Sequence, residues 1–259
     1  MADFLDTLAQ SAKATICSGY YEALTETAQL HVSLKKAILE AKHAPVITEI
    51  KAASPSAGTI RKKVDARRIA ENMEKGGAVG ISVLTEPQHF HGSLRSLVEA
   101  RKAVRLPILM KDIILSTVQI ETASKLGANV VLLIKALFDR GYCERTLSDM
   151  IATAHSKGLE VLLETHSAEE FRCAVRTPAD LVGINNRDLA TLKVDLDVTK
   201  SILERNSAEG KVVVSESGIN SPADLPFLRG CGAHAFLIGS AIMLSDHIEE
   251  TVKEFVSAL

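Results

Sequence analysis

The sequence predicts an α/β chain: a (β/α)8 TIM barrel with an N-terminal helical extension. Three observations predict it. Eight apolar runs of strand length recur, at 46–50, 80–84, 107–110, 130–134, 160–164, 181–184, 212–214 and 235–238. Eight amphipathic stretches alternate with them, at 65–75, 94–103, 116–126, 144–157, 168–176, 197–204, 222–229 and 247–258. No linker or low-complexity segment breaks the alternation, and 259 residues fit one such barrel. A doubly wound sheet usually has fewer strands and a Gly-rich turn after the first, whereas this first strand runs into Ser54-Pro55-Ser56.

Residues 1–44 read as helix, with Phe4-Leu5-Leu8 and Leu30-Leu34-Ile38-Leu39 at helical spacing. They precede the first strand and so are expected to cap a barrel formed by 45–259, the two making one structural domain. That strand opens on Pro45-Val46-Ile47 and then sets Glu49 and Lys51 two residues apart. Side chains alternate along a strand, so these two charges share a face. Charges at a buried strand end are costly unless paired or used. Further along, Gly77-Ala78, Gly127-Ala128 and Gly232-Ala233 sit where helices end before strands. Ser116, Ser167 and Ser221-Pro222 sit where helices begin.

Composition narrows the function. Hydrophobic residues make up 46% of the chain, with no Trp and 4% aromatics, so the core is aliphatic, as parallel strands under helices require. A formal charge of -2 gives no basic field for nucleic acid. Cys17, Cys143, Cys173 and Cys231 are scattered singly, which fits a reducing cytosol better than disulfides or metal. No signal-like opening and no apolar run of about 18 residues is present, so a soluble cytoplasmic protein with no membrane partner is expected. A monomer is expected, with weak self-association as the alternative.

In a barrel the C-terminal strand ends converge on one mouth. Those ends carry Glu49 and Lys51, Lys111 and Asp112, Glu164, Asn185 with Arg187 just beyond, Glu216 and Ser217, and Gly239 and Ser240. Each alone reads equally well as a paired or solvated rim residue, but the opposite strand ends carry nothing comparable. Ser217-Gly218 and Gly239-Ser240 occupy the two loops where barrels commonly bind phosphate, and Ser54 is their neighbour across the closure. Two ordinary tight turns are the plainer reading. Two lysines among two or three carboxylates suit acid–base work, because a charge pair at about 4 Å is worth roughly 4 kcal/mol at an effective dielectric of about 20. His89-Phe90-His91 lacks a third ligand at suitable spacing, so neither metal nor cofactor is expected, and Phe90 is an apolar wall or loop packing. The residues alone reach a cofactor-free enzyme acting on a small phosphorylated sugar.

Taken in order, several motifs resemble indole-3-glycerol phosphate synthase. They are Glu49-Ile50-Lys51 through Ser54-Pro55-Ser56, Ile81-Ser82-Val83-Leu84-Thr85 with Phe90-His91-Gly92-Ser93, and Pro107-Ile108-Leu109-Met110-Lys111-Asp112. Three more follow: Gly183-Ile184-Asn185-Asn186-Arg187-Asp188-Leu189, Val214-Ser215-Glu216-Ser217-Gly218-Ile219 and Phe236-Leu237-Ile238-Gly239. The resemblance spans about 45 to 245 and implies conversion of 1-(2-carboxyphenylamino)-1-deoxyribulose 5-phosphate to indole-3-glycerol phosphate, carbon dioxide and water. It implies Lys111 as general acid and Glu164 as the later base. It implies that Glu49 is coupled to Lys51, which meets the substrate carboxylate, and that Asn185 and Glu216 orient sugar hydroxyls, with Arg187 nearby. It places Phe90, Leu133 and Leu189 around the aryl ring, and Ser54, Ser217, Gly218, Gly239 and Ser240 on the phosphate. Two positions depart from the resemblance, Ile113 where Phe is usual and Ala57 where Lys is frequent. Two rival readings remain: another phosphate-sugar barrel enzyme (an isomerase or Schiff-base aldolase), or a phosphate-ligand binding protein without turnover.

Overall fold

The computed structural model describes residues 3–22, 30–54, 58–61, 63–189 and 191–259, apart from the side chain of Ser54. Eight parallel strands close into a barrel: β1 Val46–Ile50, β2 Gly80–Leu84, β3 Ile108–Lys111, β4 Val130–Ile134, β5 Glu160–Thr165, β6 Leu181–Asn185, β7 Val212–Glu216 and β8 Ala235–Ile238. Each pairs with its sequence neighbour, and β1 closes the ring against β8 through Thr48 opposite Ile238. Among the described residues twelve α-helices accompany them: α1 Phe4–Cys17, α2 Leu34–Leu39, α3 Ala66–Lys75, α4 Leu94–Ala103, α5 Thr117–Lys125 and α6 Lys135–Asp139, then α7 Leu147–Ser156, α8 Ala168–Ala174, α9 Asp197–Leu203, α10 Asp224–Gly230, α11 Ser240–Leu244 and α12 Ile248–Val256.

Local chemistry accounts for most of these limits. The side chains of Ser116 and Ser167 cap α5 and α8 as the sequence predicts, while α10 starts two residues beyond Ser221-Pro222. Gly77, Gly127 and Gly232 all take φ between +83° and +105° just past helix ends, where a Cβ would be strained. Strands β3, β6 and β7 run one or two residues past their apolar stretches. Pairings such as Leu84 with Lys111 and Asn185 with Glu216 continue the ladder into the charged ends. The expected helix at 144–157 begins only at Leu147, because Glu144 turns to cap α5 by accepting from Ser116 Oγ and Thr117 N–H. α6 is an additional short helix ahead of it.

Two apolar layers follow from the alternation. Val131, Leu133, Val161, Leu163, Val213 and Phe236 face outward under the helices, while Ile47, Leu109, Leu132, Leu162, Val214 and Leu237 fill the barrel. The N-terminal segment covers both ends of that inner core. Leu34 of α2 packs so tightly under Gly80, at the start of β2, that a Cβ there would lie 2.5 Å from its Cδ1. Glu160, which starts β5, accepts from Ser33 Oγ and the N–H groups of Leu34 and Lys35. At the other end α1 is latched over the mouth by Arg140, which bonds both Asp3 and Asp6 at 2.7 Å.

Candidate active site

The inward face of the charged strand ends forms one cluster. Lys111 Nζ lies 2.8 Å from Glu216 Oε2, 3.4 Å from Glu49 Oε2 and 3.9 Å from Glu164 Oε2. Lys51 Nζ lies 3.0 Å from Glu49 Oε1, so Glu49 bridges the two lysines. Asn185 donates from Nδ2 to Glu164 Oε1 at 3.1 Å and accepts the Arg187 N–H at 3.0 Å. Gly183 makes room for this: a Cβ there would stand 2.1 Å from Glu216 Oε1.

Burial and charge set opposite directions on neighbouring groups. Burial would lower the Lys111 pKa, but Glu216, Glu49 and Glu164 outweigh it and hold the ammonium firmly protonated. Glu49 is buried too, yet Lys51 and Lys111 keep it below the usual carboxylate range. Glu216 goes the other way. Burial, aided by the charges of Glu164 and Glu49, lifts it to about 7 against the pull of Lys111. Glu164 falls to about 2, since His166, Lys111 and Asn185 overcome its burial.

Beside this cluster opens a cleft of about 750 Å³. Its polar side includes Glu49, Lys51, Lys111, Glu164, Asn185 and Arg187, with Glu86, Asp112 and Ser217 at its border; its apolar side includes Phe90, Leu132, Ile134 and Leu189. Phe4 and Leu8 of α1 reach in from above, and the Phe4 ring meets His89 edge-on at 5.7 Å. Glu86 fixes the turn carrying Phe90 by accepting the N–H groups of Gln88, His89 and Phe90 at 2.7–3.0 Å. Asp112 is turned to a different task. Tyr21 and Thr85 donate to its carboxylate, as does the Ile113 N–H, and burial raises it to about 6.

Leu133 requires a correction. It packs in the outer layer under the helices, and Leu132 and Ile134 face the cleft in its place. One residue separates the two faces of a strand, and Ile134 pairing with Glu164 fixes which face is inward. Ile113 does line the cleft. On the opposite flank Ser217, Gly218, Gly239 and Ser240 border a second hollow shared with Lys51, Lys111 and Arg187. Ser217 and Gly218 have φ of +66° and +83°, and a Cβ on Gly239 would come within 2.8 Å of Lys51 Nζ. Ser54 pairs through its backbone with Gly58 in a short antiparallel ladder, two residues on each side, beyond β1; its side chain and Ala57 lie outside the described residues. The sequence marks Phe4 and Leu8 only as part of a helical cap and does not mark Leu132, Ile134, Glu86 or His166 as site residues. Of these His166 carried a signal, standing two residues past Glu164 and therefore on its face.

Comparison with known proteins fits this geometry. The profile of the family described as indole-3-glycerol phosphate synthase matches residues 6–255. This chain belongs to that family. Similar relatives include the "Indole-3-glycerol phosphate synthase" of Methanocaldococcus jannaschii, 44% identical over 227 residues, covering 86% of this chain and 82% of that protein. That of Burkholderia ambifaria is 38% identical over 255 residues, covering 95% and 96%. Among solved structures, a thiamine phosphate pyrophosphorylase from Pyrococcus furiosus superposes with a TM-score of 0.60 at 16% identity, covering 87% of this chain and 97% of that one. The N-acetylmannosamine-6-phosphate 2-epimerase of Clostridium perfringens gives 0.59 at 15%, covering 83% and 93%. At such identities these two share the barrel fold. Among the described residues no helix is long and apolar enough to cross a membrane.

Proposed function

We propose that this enzyme closes the indole ring of tryptophan biosynthesis, converting 1-(2-carboxyphenylamino)-1-deoxyribulose 5-phosphate to indole-3-glycerol phosphate, carbon dioxide and water. The observation that carries the reading is an ammonium, Lys111, among three carboxylates at the junction of an apolar slot and a Gly/Ser-edged hollow. The aryl group fits the slot and the phosphate fits the hollow. That pairing spans the acid–base cluster with the carbonyl between them.

The reaction then draws on each group in turn. Lys111 donates its proton to the carbonyl oxygen as the ring carbon bearing the carboxylate attacks. Expulsion of carbon dioxide returns the electron pair to the ring. The new hydroxyl takes a second proton and leaves as water, while Glu164 removes the adjacent C–H proton. Two protons enter and one leaves, so each turnover takes up one proton. Lys51, tied to Glu49, meets the substrate carboxylate with Arg187 close by. Asn185 and Glu216 orient the hydroxyls, and fixed charges in a shielded site need little reorganisation as the reaction proceeds.

A Schiff-base aldolase needs a neutral lysine, whereas Lys111 is held charged. Within this reading residues 1–44 serve as the cap, 45–259 as the catalytic barrel, and the protein acts as a cytosolic monomer. The test is direct: purified protein with this substrate should develop indole fluorescence. Lys111→Ala and Glu164→Gln should each lose about 10²–10⁴-fold in kcat, the usual worth of one acid or base. Absence of an indole product from wild type overturns the reading.

A further inference from the structure

The geometry points to His166, backed by Glu170, as the positioning residue that supplies a fixed positive charge to the base Glu164 from the side away from the substrate. This rests on the role proposed above for Glu164. His166 follows Glu164 by two residues and stands on the same face at the end of β5, with its Nε2 3.3 Å from Glu164 Oε1. Its other ring nitrogen is 3.7 Å from Glu170 Oε2 in the first turn of α8, and that same oxygen accepts the His166 backbone N–H at 2.8 Å. The imidazole is thus enclosed by a carboxylate on each edge, with its side chain 14% exposed. Neither ring nitrogen meets good hydrogen-bond geometry, yet each has a carboxylate oxygen within ion-pair distance.

The placement separates two faces of the base. Glu164 borders the aryl cleft and His166 does not; His166 and Glu170 border an adjoining hollow of about 950 Å³, and Asn185, Arg187 and Leu189 border both. Oε1 of Glu164 is occupied by Asn185 and His166, which leaves Oε2, facing Lys111, as the atom that meets substrate. Burial opposes a charged ring, but Glu164 and Glu170 raise the His166 pKa to about 9. The other charges facing this assembly are Lys111 on Glu164 and Lys135 on Glu170, with Asp3, Arg140, Arg187, Asp188, Lys193 and Asp195 around the rear hollow. Without the imidazolium, Glu164 is a buried carboxylate relieved only by Lys111 and Asn185, and protons compete for it at higher pH.

The test is the pH profile of kcat for His166→Gln against wild type, with Glu170→Gln in parallel in case the first variant folds poorly. We expect the ratio of variant to wild-type kcat to be lowest at pH 5, at least fivefold down. It should climb to within twofold by pH 10, where wild type has lost its own imidazolium. KM should stay within threefold, and Glu170→Gln should show the same trend at smaller amplitude. A flat ratio from pH 5 to pH 10, or a defect confined to KM, overturns the inference and leaves a structural histidine. An independent readout is ¹⁵N NMR of the substrate-free enzyme, with the His166 signal assigned by its loss in the variant. A doubly protonated ring at pH 7.5 supports the inference, and a neutral ring overturns it. Inactive wild type would instead defeat the proposed reaction, while the NMR result still decides the charge.

Discussion

Leu132 and Leu133 are adjacent, both buried, and assigned to opposite faces of β4, so truncating each in turn tests the orientation of the slot. Leu133→Ala removes a fully buried side chain from the outer layer, at a cost of about 3 kcal/mol. For a chain of this size that lowers Tm by roughly 6–12 °C. Leu132→Ala costs a similar amount in stability, but it also strips three carbons from the wall of the slot. At about 0.8 kcal/mol per CH₂, with only part of that surface touching the aryl ring, the loss in binding is about 1–2 kcal/mol. KM should then rise roughly tenfold. The assay is steady-state indole fluorescence, run well below both melting points, beside thermal unfolding. Equal KM increases for the two variants, or a larger one for Leu133→Ala, would refute the assigned strand phase and with it the position of the aryl ring.

Gly183→Ala places a methyl where Glu216 Oε1 lies, pushing that carboxylate off Lys111, and should cut kcat about 10²-fold with circular dichroism unchanged. Glu86→Ala releases three backbone N–H groups and the turn holding Phe90; KM should rise roughly tenfold with kcat within threefold, as measured by substrate titration. His166 binds its proton more tightly when folded, at about 9 against 6.5, so its stabilisation is complete below pH 6.5 and lost as pH climbs through 9. The ceiling is about 3 kcal/mol, part of it the same contact that steadies Glu164. Urea unfolding should therefore show wild type losing stability between pH 6.5 and 9 and His166→Gln varying less.

The barrel and most of its charged lining were legible because period-two spacing at strand ends survives without tertiary knowledge. Glu49 and Lys51, two apart, share the inward face, and Lys111, Glu164, Asn185 and Glu216 converge with them. Leu133 was misassigned for a physical reason. Val130–Ile134 is apolar on both faces, as barrel strands under helices are, so nothing in its composition marks which side is which. Phe4 and Leu8 read as helix, and a cap was expected, but their reach into the slot depends on the Arg140 latch, an ion pair between residues 137 apart in sequence. Asp112 looked like a mouth carboxylate. Its partner Tyr21 comes from the extension, 91 residues away, and no local pattern announces that pairing.

The first described residues and the last helix lie at opposite ends of the barrel. α1 begins above the slot, whereas the last helix runs back to the foot of β1, where the Val256 carbonyl accepts the Ala44 N–H. A fusion or affinity handle joined ahead of Phe4 would crowd the door through which reactant enters. One joined after Leu259 would hang from the closed floor and leave that door open.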